Sequence, residues 1–241
     1  MNGQKKTSRY KYPRTSHLPW SPGATKDDIR CISADIFIGK KIVITEKMDG
    51  ENTTLYNDHS HARSVDSRHH PSRDWVKRIH ASIAHEIPEG WRICGENLYA
   101  QHSIVYEKLR SYFYGFSIWN DKNYCLSWSD TMEWFDLLEL DAPPVLYHGL
   151  WDEFLAKSIE IDVNTVEGYV VRLEDEFHYN SFNSSVAKWV RTGHVQTDGN
   201  WMHNQIVTNG LANLNRTNSK QALKIKLKER KEVPNETKPN K

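Results

Sequence analysis

The chain has no apolar run near the ~20 residues that a membrane-spanning helix requires, so no helical span is expected. The basic residues of its first dozen positions have no apolar stretch behind them, which argues against a secretory signal. Cysteine is scarce: Cys31, Cys94 and Cys125 are scattered and form no C-x-x-C pair. That scarcity excludes a disulfide framework and points to a reduced, intracellular and cytoplasmic setting. It also removes the usual partners of a zinc site. His59, His61, His69, His70, His80 and His85, with no carboxylate at ligand spacing either, therefore read as solvated histidines. There are no internal repeats. No βαβ rhythm is visible, so strands mixed with helices imply an α+β domain of antiparallel sheets flanked by helices.

What is present is unevenly placed. Residues 1–14 carry five Lys/Arg and no acid, and 216–241 carry nine Lys/Arg against three Glu. Between them stand 18 bases against 28 acids, so a net charge of +1 conceals an acidic body with basic ends. That distribution suits a protein that meets a polyanion at its periphery and uses carboxylates at its centre, although solubilising tails would look the same. Nine Trp and eleven Tyr supply flat surfaces for packing or base stacking.

Along the chain, residues 1–23 hold Pro13, Pro19 and Pro22 without periodicity and read as an arm laid over the body. Lys41-Ile42-Val43-Ile44, bounded by Gly39, is a short β-branched strand, and Asn52–Tyr56 reads as the strand returning from it. The polar stretch from His59 to His70 is a loop or hairpin carrying Arg63 and Arg68. Trp75, Ile79, Ile83 and Ile87 form one stripe at i+4 steps, predicting a helix with Pro71 and Ser72 at its start. Strands are expected near 91–98 and 112–119, a helix near 129–139 from Ser127 or Ser129, and a short helix from Trp151 to Ile159. Strands around Glu167 and Lys188 close the core. Residues 192–241 are expected to hold a small helical appendage (Trp201, Ile206, Val207, Leu211 and Leu214 as its apolar set) and a basic tail.

The chemistry concentrates in Thr45-Glu46-Lys47-Met48-Asp49-Gly50, where a lysine stands at a strand end before a turn-forming Asp-Gly pair. Lysine attacks only as the neutral amine, so a nucleophilic role asks its site to lower its pKa. Four later segments accompany it. Arg92–Tyr99 sets Glu96 in an apolar strand pattern; Ser111–Trp119 is an aromatic strand; Val166–Arg172 carries Glu167 beside Gly168; Val186–Arg191 carries Lys188 and Arg191. In this order the five segments resemble the nucleotidyltransferase motifs of ATP-dependent RNA ligases. More broadly they are similar to the covalent nucleotidyltransferase superfamily, with its ATP-grasp-like ligase domain and its mRNA-capping guanylyltransferases. The nearest resemblance is to the family typified by the second RNA ligase of a T-even phage, and it runs from about Lys41 to Arg191.

The resemblance implies Lys47 as the nucleophile that forms lysyl–AMP from ATP. Lys188 would neutralise charge at the α-phosphate, and Glu167 would hold Mg²⁺ or Mn²⁺, with Asp49 the next candidate. Glu96 would accept from the ribose hydroxyls and Phe116 would stack on adenine, or Tyr114 or Trp119 if the register differs by two. Glu46 would line the nucleotide pocket, while Asn52 and Arg68 would contact phosphates of the adenylate and of the RNA 5′ end. The last motif departs from the family's K-x-K: Val190 holds the second basic position and Arg191 follows. Strand alternation points Arg191 away from Lys188 unless a bulge intervenes, so either Lys188 works alone or Arg191 reaches round; the resemblance implies Arg191 as a further RNA-phosphate contact. The expected division is an arm over 1–23, a nucleotidyltransferase domain over 24–191, and 192–241 without an OB-fold. The expected activity is ATP-dependent joining of an RNA 5′-phosphate to a 3′-hydroxyl by a monomer. A minimal DNA ligase and a catalytically inactive RNA-end-binding module are the alternatives.

Overall fold

The computed structural model of the chain describes residues 8–193 and 205–213. The basic residues before position 8, Trp201, Leu214 and the basic stretch 216–241 lie outside the described residues. Eleven strands and three α-helices are assigned among the described residues: β1 (Ser16–His17), β2 (Lys41–Glu46), β3 (Glu51–Leu55), β4 (Ser60–Ala62), α1 (Asp74–Ile83), β5 (Arg92–Asn97), β6 (Phe113–Trp119), β7 (Tyr124–Cys125), α2 (Trp128–Leu138), β8 (Val145–Leu150), α3 (Glu153–Ser158), β9 (Gly168–Leu173), β10 (Phe177–His178) and β11 (Val186–Val190). They form two sheets, ordered β1-β11-β9-β2-β8 and β10-β7-β6-β5-β3-β4. Each strand pairing is antiparallel except that of β1 with β11. The architecture is α+β, and no described helix is long and apolar enough to cross a membrane.

Side-chain alternation gives each sheet an outer, packed face and an inner face turned to the other sheet. In the five-stranded sheet Ile42, Ile44, Tyr169, Val171 and Ala187 pack outward with Leu18, Phe37 and Ala156 of α3. The intervening Thr45, Val170, Arg172, Val186 and Lys188 face inward. β2 reads as a nearly continuous apolar run because it is central and covered on both sides, with Ile42, Val43 and Ile44 fully buried. In the six-stranded sheet Leu55, Ile93, Phe113 and Ile118 pack on Val76 and Ile83 of α1 and Phe135 and Leu138 of α2.

The helices start where capping chemistry permits. His70 accepts from the Ser72 N–H at a one-turn 3-10 segment, Pro71–Arg73, which leads into α1. Ser127 caps α2 by accepting from the Asp130 N–H at 3.1 Å. Asp152 does the same for α3 at the Leu155 N–H, at 3.0 Å.

Three features differ from the sequence expectation. Asn52–Tyr56 does not return along β2: β3 pairs with β4 and β5 in the other sheet, so Lys47–Gly50 is a crossing between sheets. The arm is stitched down, since Ser16 and His17 add a parallel edge to Ala187 and Lys188. Residues 205–213 form no helix; they lie extended, bridging Ala100 to Thr208 and Leu109 to Leu211. Val207 and Leu211 are exposed, so they are not the apolar face of a packed helix.

Candidate active site

The inner faces enclose a cleft of about 1000 Å³. Glu46, Lys47, Asn52, Arg68, Glu96, Phe116 and Lys188 line it together, although they come from strands and loops spread over 140 residues. Seven Lys/Arg and five Asp/Glu side chains line its walls, so the acidic body presents a cleft with excess positive charge.

Lys47 stands where the sheets meet. Its N–H donates to the Gly168 carbonyl at 2.8 Å, tying it to β9 in the five-stranded sheet. The next residues leave for the other sheet: Met48 is buried among Leu98, Leu109 and Tyr114. Gly50 is obligatory by close approach, because a Cβ there would stand 2.4 Å from the Asn97 carbonyl oxygen.

The Lys47 ammonium is hydrogen-bonded and ion-paired to Glu167. Burial alone would lower the Lys47 pKa, but the carboxylates of Glu167, Glu96 and Asp49 outweigh it and hold the pKa above the usual lysine value. The nucleophile role asks for the opposite, whereas these carboxylates favour the Lys47 ammonium. Glu96 carries the cost of the crowding: burial, then Glu167 and Asp49, push its carboxyl up to about 8 against the pull of Lys47. Lys188 moves the other way, lowered by burial and then by the Lys47 charge. Burial also raises Glu46.

Two predicted residues do not line the cleft. Glu167 is buried behind Lys47, at the threshold of β9 rather than within it, so the ammonium occupies the place a cation would take on that carboxylate. Arg191 lies past the end of β11, whose register with β9 is unbroken. Without a bulge the alternation holds, and its guanidinium donates to Ser103 Oγ at 3.2 Å, away from the cleft. Asp49 is likewise committed: one carboxylate oxygen accepts from Ser103 Oγ and the Ile104 N–H, both at 2.8 Å.

The cleft's far end is apolar. Phe116 has no partner in the β5–β6 register, because Cys94 opposes Ser117 and Gly95 opposes Gly115. That bulge lets two successive residues, Phe116 and Ser117, face the cleft. Tyr12 of the arm meets Phe116 edge-on at 5.2 Å. Tyr114 and Trp119 are buried elsewhere, which settles the register on Phe116 as the strand's cleft aromatic. Cys125 also lines this end, its thiol pushed up to about 11 by burial, with buried Cys94 behind. The Asn52 Oδ1 is buried without a hydrogen-bond partner among the described residues, an acceptor left for whatever enters.

Sequence reasoning missed several lining residues. Arg172 is buried with its guanidinium near the rings of Trp128 and Phe177, at 5.5 and 5.6 Å, and a lone arginine inside an apolar strand was the available signal. Arg73 forms a two-pronged ion pair with Glu51 across the cleft mouth. Arg14 and Tyr12 of the arm reach the cleft with no local pattern to announce them.

No group of three His, Cys, Asp or Glu placed to hold a metal exists among the described residues. Glu46 and Glu96 are the acids that line the cleft beside Lys47, with Glu167 reachable if Lys47 moves. Such a sparse carboxylate set fits a hard cation that keeps waters and shares phosphate oxygens.

The site thus sets a lysine just past a strand end, held by a carboxylate, between a basic wall and an aromatic slot. The chain belongs to the RNA ligase family, whose model matches residues 40–190. Among solved structures it is similar to the Naegleria gruberi RNA ligase with pyrophosphate, with a TM-score of 0.52 and 20% identity over 76% of this chain and 61% of that one. A point mutant of the same ligase with ATP and Mn matches with a TM-score of 0.50 and 18% identity, over 74% and 59%. At these identities the likeness is one of fold. The chain spans about half the length of the first such structures, 51% of each. No curated protein matches by sequence.

Proposed function

We propose that the chain is an ATP-dependent RNA ligase that works through a Lys47–AMP intermediate. The observation that carries this is the convergence of Lys47, Glu96, Phe116 and Lys188 on one cleft, with Glu167 bonded to the Lys47 ammonium. Phe116 offers a face to the adenine, Glu96 accepts from ribose hydroxyls, and Lys188 and Arg68 offer charge to phosphates. In the first step the Lys47 ammonium gives one proton to a base to become the neutral amine, Nζ bonds to the α-phosphorus of ATP as the bond to the pyrophosphate oxygen breaks, and a second proton leaves Nζ for solvent to give the phosphoramidate. Glu167, hydrogen-bonded to that ammonium, is the nearest base. AMP then passes to an RNA 5′-phosphate, and a 3′-hydroxyl displaces it to seal the strand. Mg²⁺ or Mn²⁺, held by Glu167 once Lys47 leaves it, would supply positive charge to the departing pyrophosphate. Drawing on Glu167 would also weaken the field that keeps Lys47 protonated. The chain is taken to act as a monomer.

Incubation with labelled ATP, and separately GTP, in Mg²⁺ tests the reading. Wild type should gain one AMP from ATP through an acid-labile, base-stable bond, and then seal a nick that has RNA at its 3′-hydroxyl side. Absence of labelling, or labelling that persists in Lys47→Ala, overturns it. Equal sealing of all-DNA nicks would turn the substrate assignment to DNA.

A further inference from the structure

The turn after Lys47 is held from behind by residues 98–112, which are themselves held by a segment beyond the stretch that the family model matches. Asp49 donates its N–H to the Tyr106 hydroxyl at 2.9 Å and accepts from Ser103 and Ile104. Residues 98–112, which supply these partners, have no strand or helix of their own to fix them. They are fixed by residues 205–213.

Asn209 is the centre of that attachment. It is 2% exposed, and each of its polar groups is bonded. Its Oδ1 accepts from the Tyr106 N–H at 2.9 Å, and its Nδ2 donates to the Leu98 carbonyl at 2.8 Å. Its N–H donates to the Tyr99 carbonyl at 3.1 Å, and its carbonyl accepts from the Tyr112 hydroxyl at 2.9 Å. The Gly210 N–H donates to the Tyr106 carbonyl at 2.7 Å, so Tyr106 is gripped at both backbone groups. A Cβ on Gly210 would stand 2.4 Å from the Glu107 carbonyl oxygen, so the fit admits glycine alone without a shift. A fully satisfied buried amide bridging otherwise irregular backbone is a rigid element, since any displacement leaves several buried groups unpaired.

We propose that Asn209 and Tyr106 are positioning residues for the Lys47 nucleophile: the segment 205–213 latches residues 98–112, and Tyr106 passes that rigidity to Asp49 and the Lys47 turn. The inference rests on the adenylation reading above. It assigns a role in the nucleophile's geometry to residues beyond position 190. The hydrogen bonds of both residues go to Asp49 and to residues 98–112 rather than to Phe116, Glu96 or Lys188, so the latch sets how Lys47 is aimed and not how ATP is held. A misplacement of about 1 Å at a reacting atom costs on the order of 100-fold in rate.

The test uses the full chain and measures single-turnover AMP labelling of Lys47 across ATP concentrations, well below the melting temperature. Asn209→Ala and Tyr106→Phe should each lower the maximal labelling rate by about 10-fold or more, with the half-saturating ATP concentration changed by less than about twofold. Tyr106→Phe removes a single hydroxyl, so it carries the test if Asn209→Ala does not fold. The double variant should be no slower than the slower single one, because both act through one path. Wild-type labelling rates in both variants, or a loss confined to half-saturation, overturn the latch. A wild-type chain that takes no label at Lys47 defeats the adenylation reading instead, so the two failures are distinct.

Discussion

Lys47, Glu167 and Lys188 belong to the five-stranded sheet and its ends, whereas Asn52, Glu96 and Phe116 belong to the six-stranded one. On the proposed function, the first group carries charge to and from a phosphate. The second offers a ring face and acceptors for a base and a sugar. The two sheets therefore divide the labour, and the crossing at Lys47–Gly50 is where the division is bridged. Groups of the first sheet act in the transition state, so their loss should appear in the maximal rate. Groups of the second bind the nucleotide before and during reaction alike, so their loss should appear in half-saturation.

The strongest way to break this comparison is at the nucleophile. Lys47→Ala should abolish labelling, read as the absence of an AMP mass increment. Lys188→Ala comes next: losing one charge aimed at the transferred phosphate should cut the maximal labelling rate by roughly 10²- to 10³-fold. If Lys188→Ala changes half-saturation instead, the first sheet is a binding surface and the division fails.

Phe116→Ala should raise the half-saturating ATP concentration by about tenfold, the value expected of one lost base-stacking contact. A smaller, sharper test lies in pH. Lys47 is held high and Glu96 stands at about 8, so both shed protons toward the active form as pH rises. Labelling should therefore accelerate from pH 7 to 9, and Glu96→Gln should flatten part of that rise.

Stability should respond in the opposite sense. A carboxyl raised from 4.5 to about 8 in the folded state binds its proton more tightly folded than unfolded. Its stabilising contribution is complete below the unfolded value and is lost as pH climbs through the folded one. Glu96→Gln should thus raise the melting temperature above wild type at pH 9, by a few degrees (about 2–6 °C), and leave it near wild type at pH 5. The least effect belongs to Arg191→Ala. Its guanidinium serves Ser103 rather than the cleft, so RNA sealing should change less than in any of the variants above.

The α1 stripe and the α2 start at Ser127 were legible because period and capping act within a few residues. Arg191 was misplaced as a phosphate contact, although strand alternation already turned it away from Lys188. Lys47, Glu96 and Lys188 were legible as cleft residues because each charge ends or interrupts an apolar strand, and Phe116 because its strand is aromatic, in an order the family shares. β8 was not: Val145–Leu150 is an edge strand with Val145 and Leu150 exposed, and it carries no clean alternation. The crossing of sheets was misread because Asp-Gly serves a hairpin and a crossover equally, and the pairing of β3 is decided by β5, some 40 residues away. The bond from Tyr106 to Asn209 spans 103 positions, and no periodicity encodes it. The charge state of Lys47 was missed for the same reason, since Glu167 lies 120 residues on.

The thiols have a consequence of their own. Cys94 and Cys125 are enclosed between the sheets and Cys125 is held protonated, whereas Cys31 is half-exposed. Thiolates, not thiols, react with alkylating reagents. The chain thereby carries an internal clock: the first modification falls on Cys31, and the next two record how often the buried thiols at the cleft's apolar end become accessible. Counting adducts by mass over time would report the breathing of the fold without any label being added.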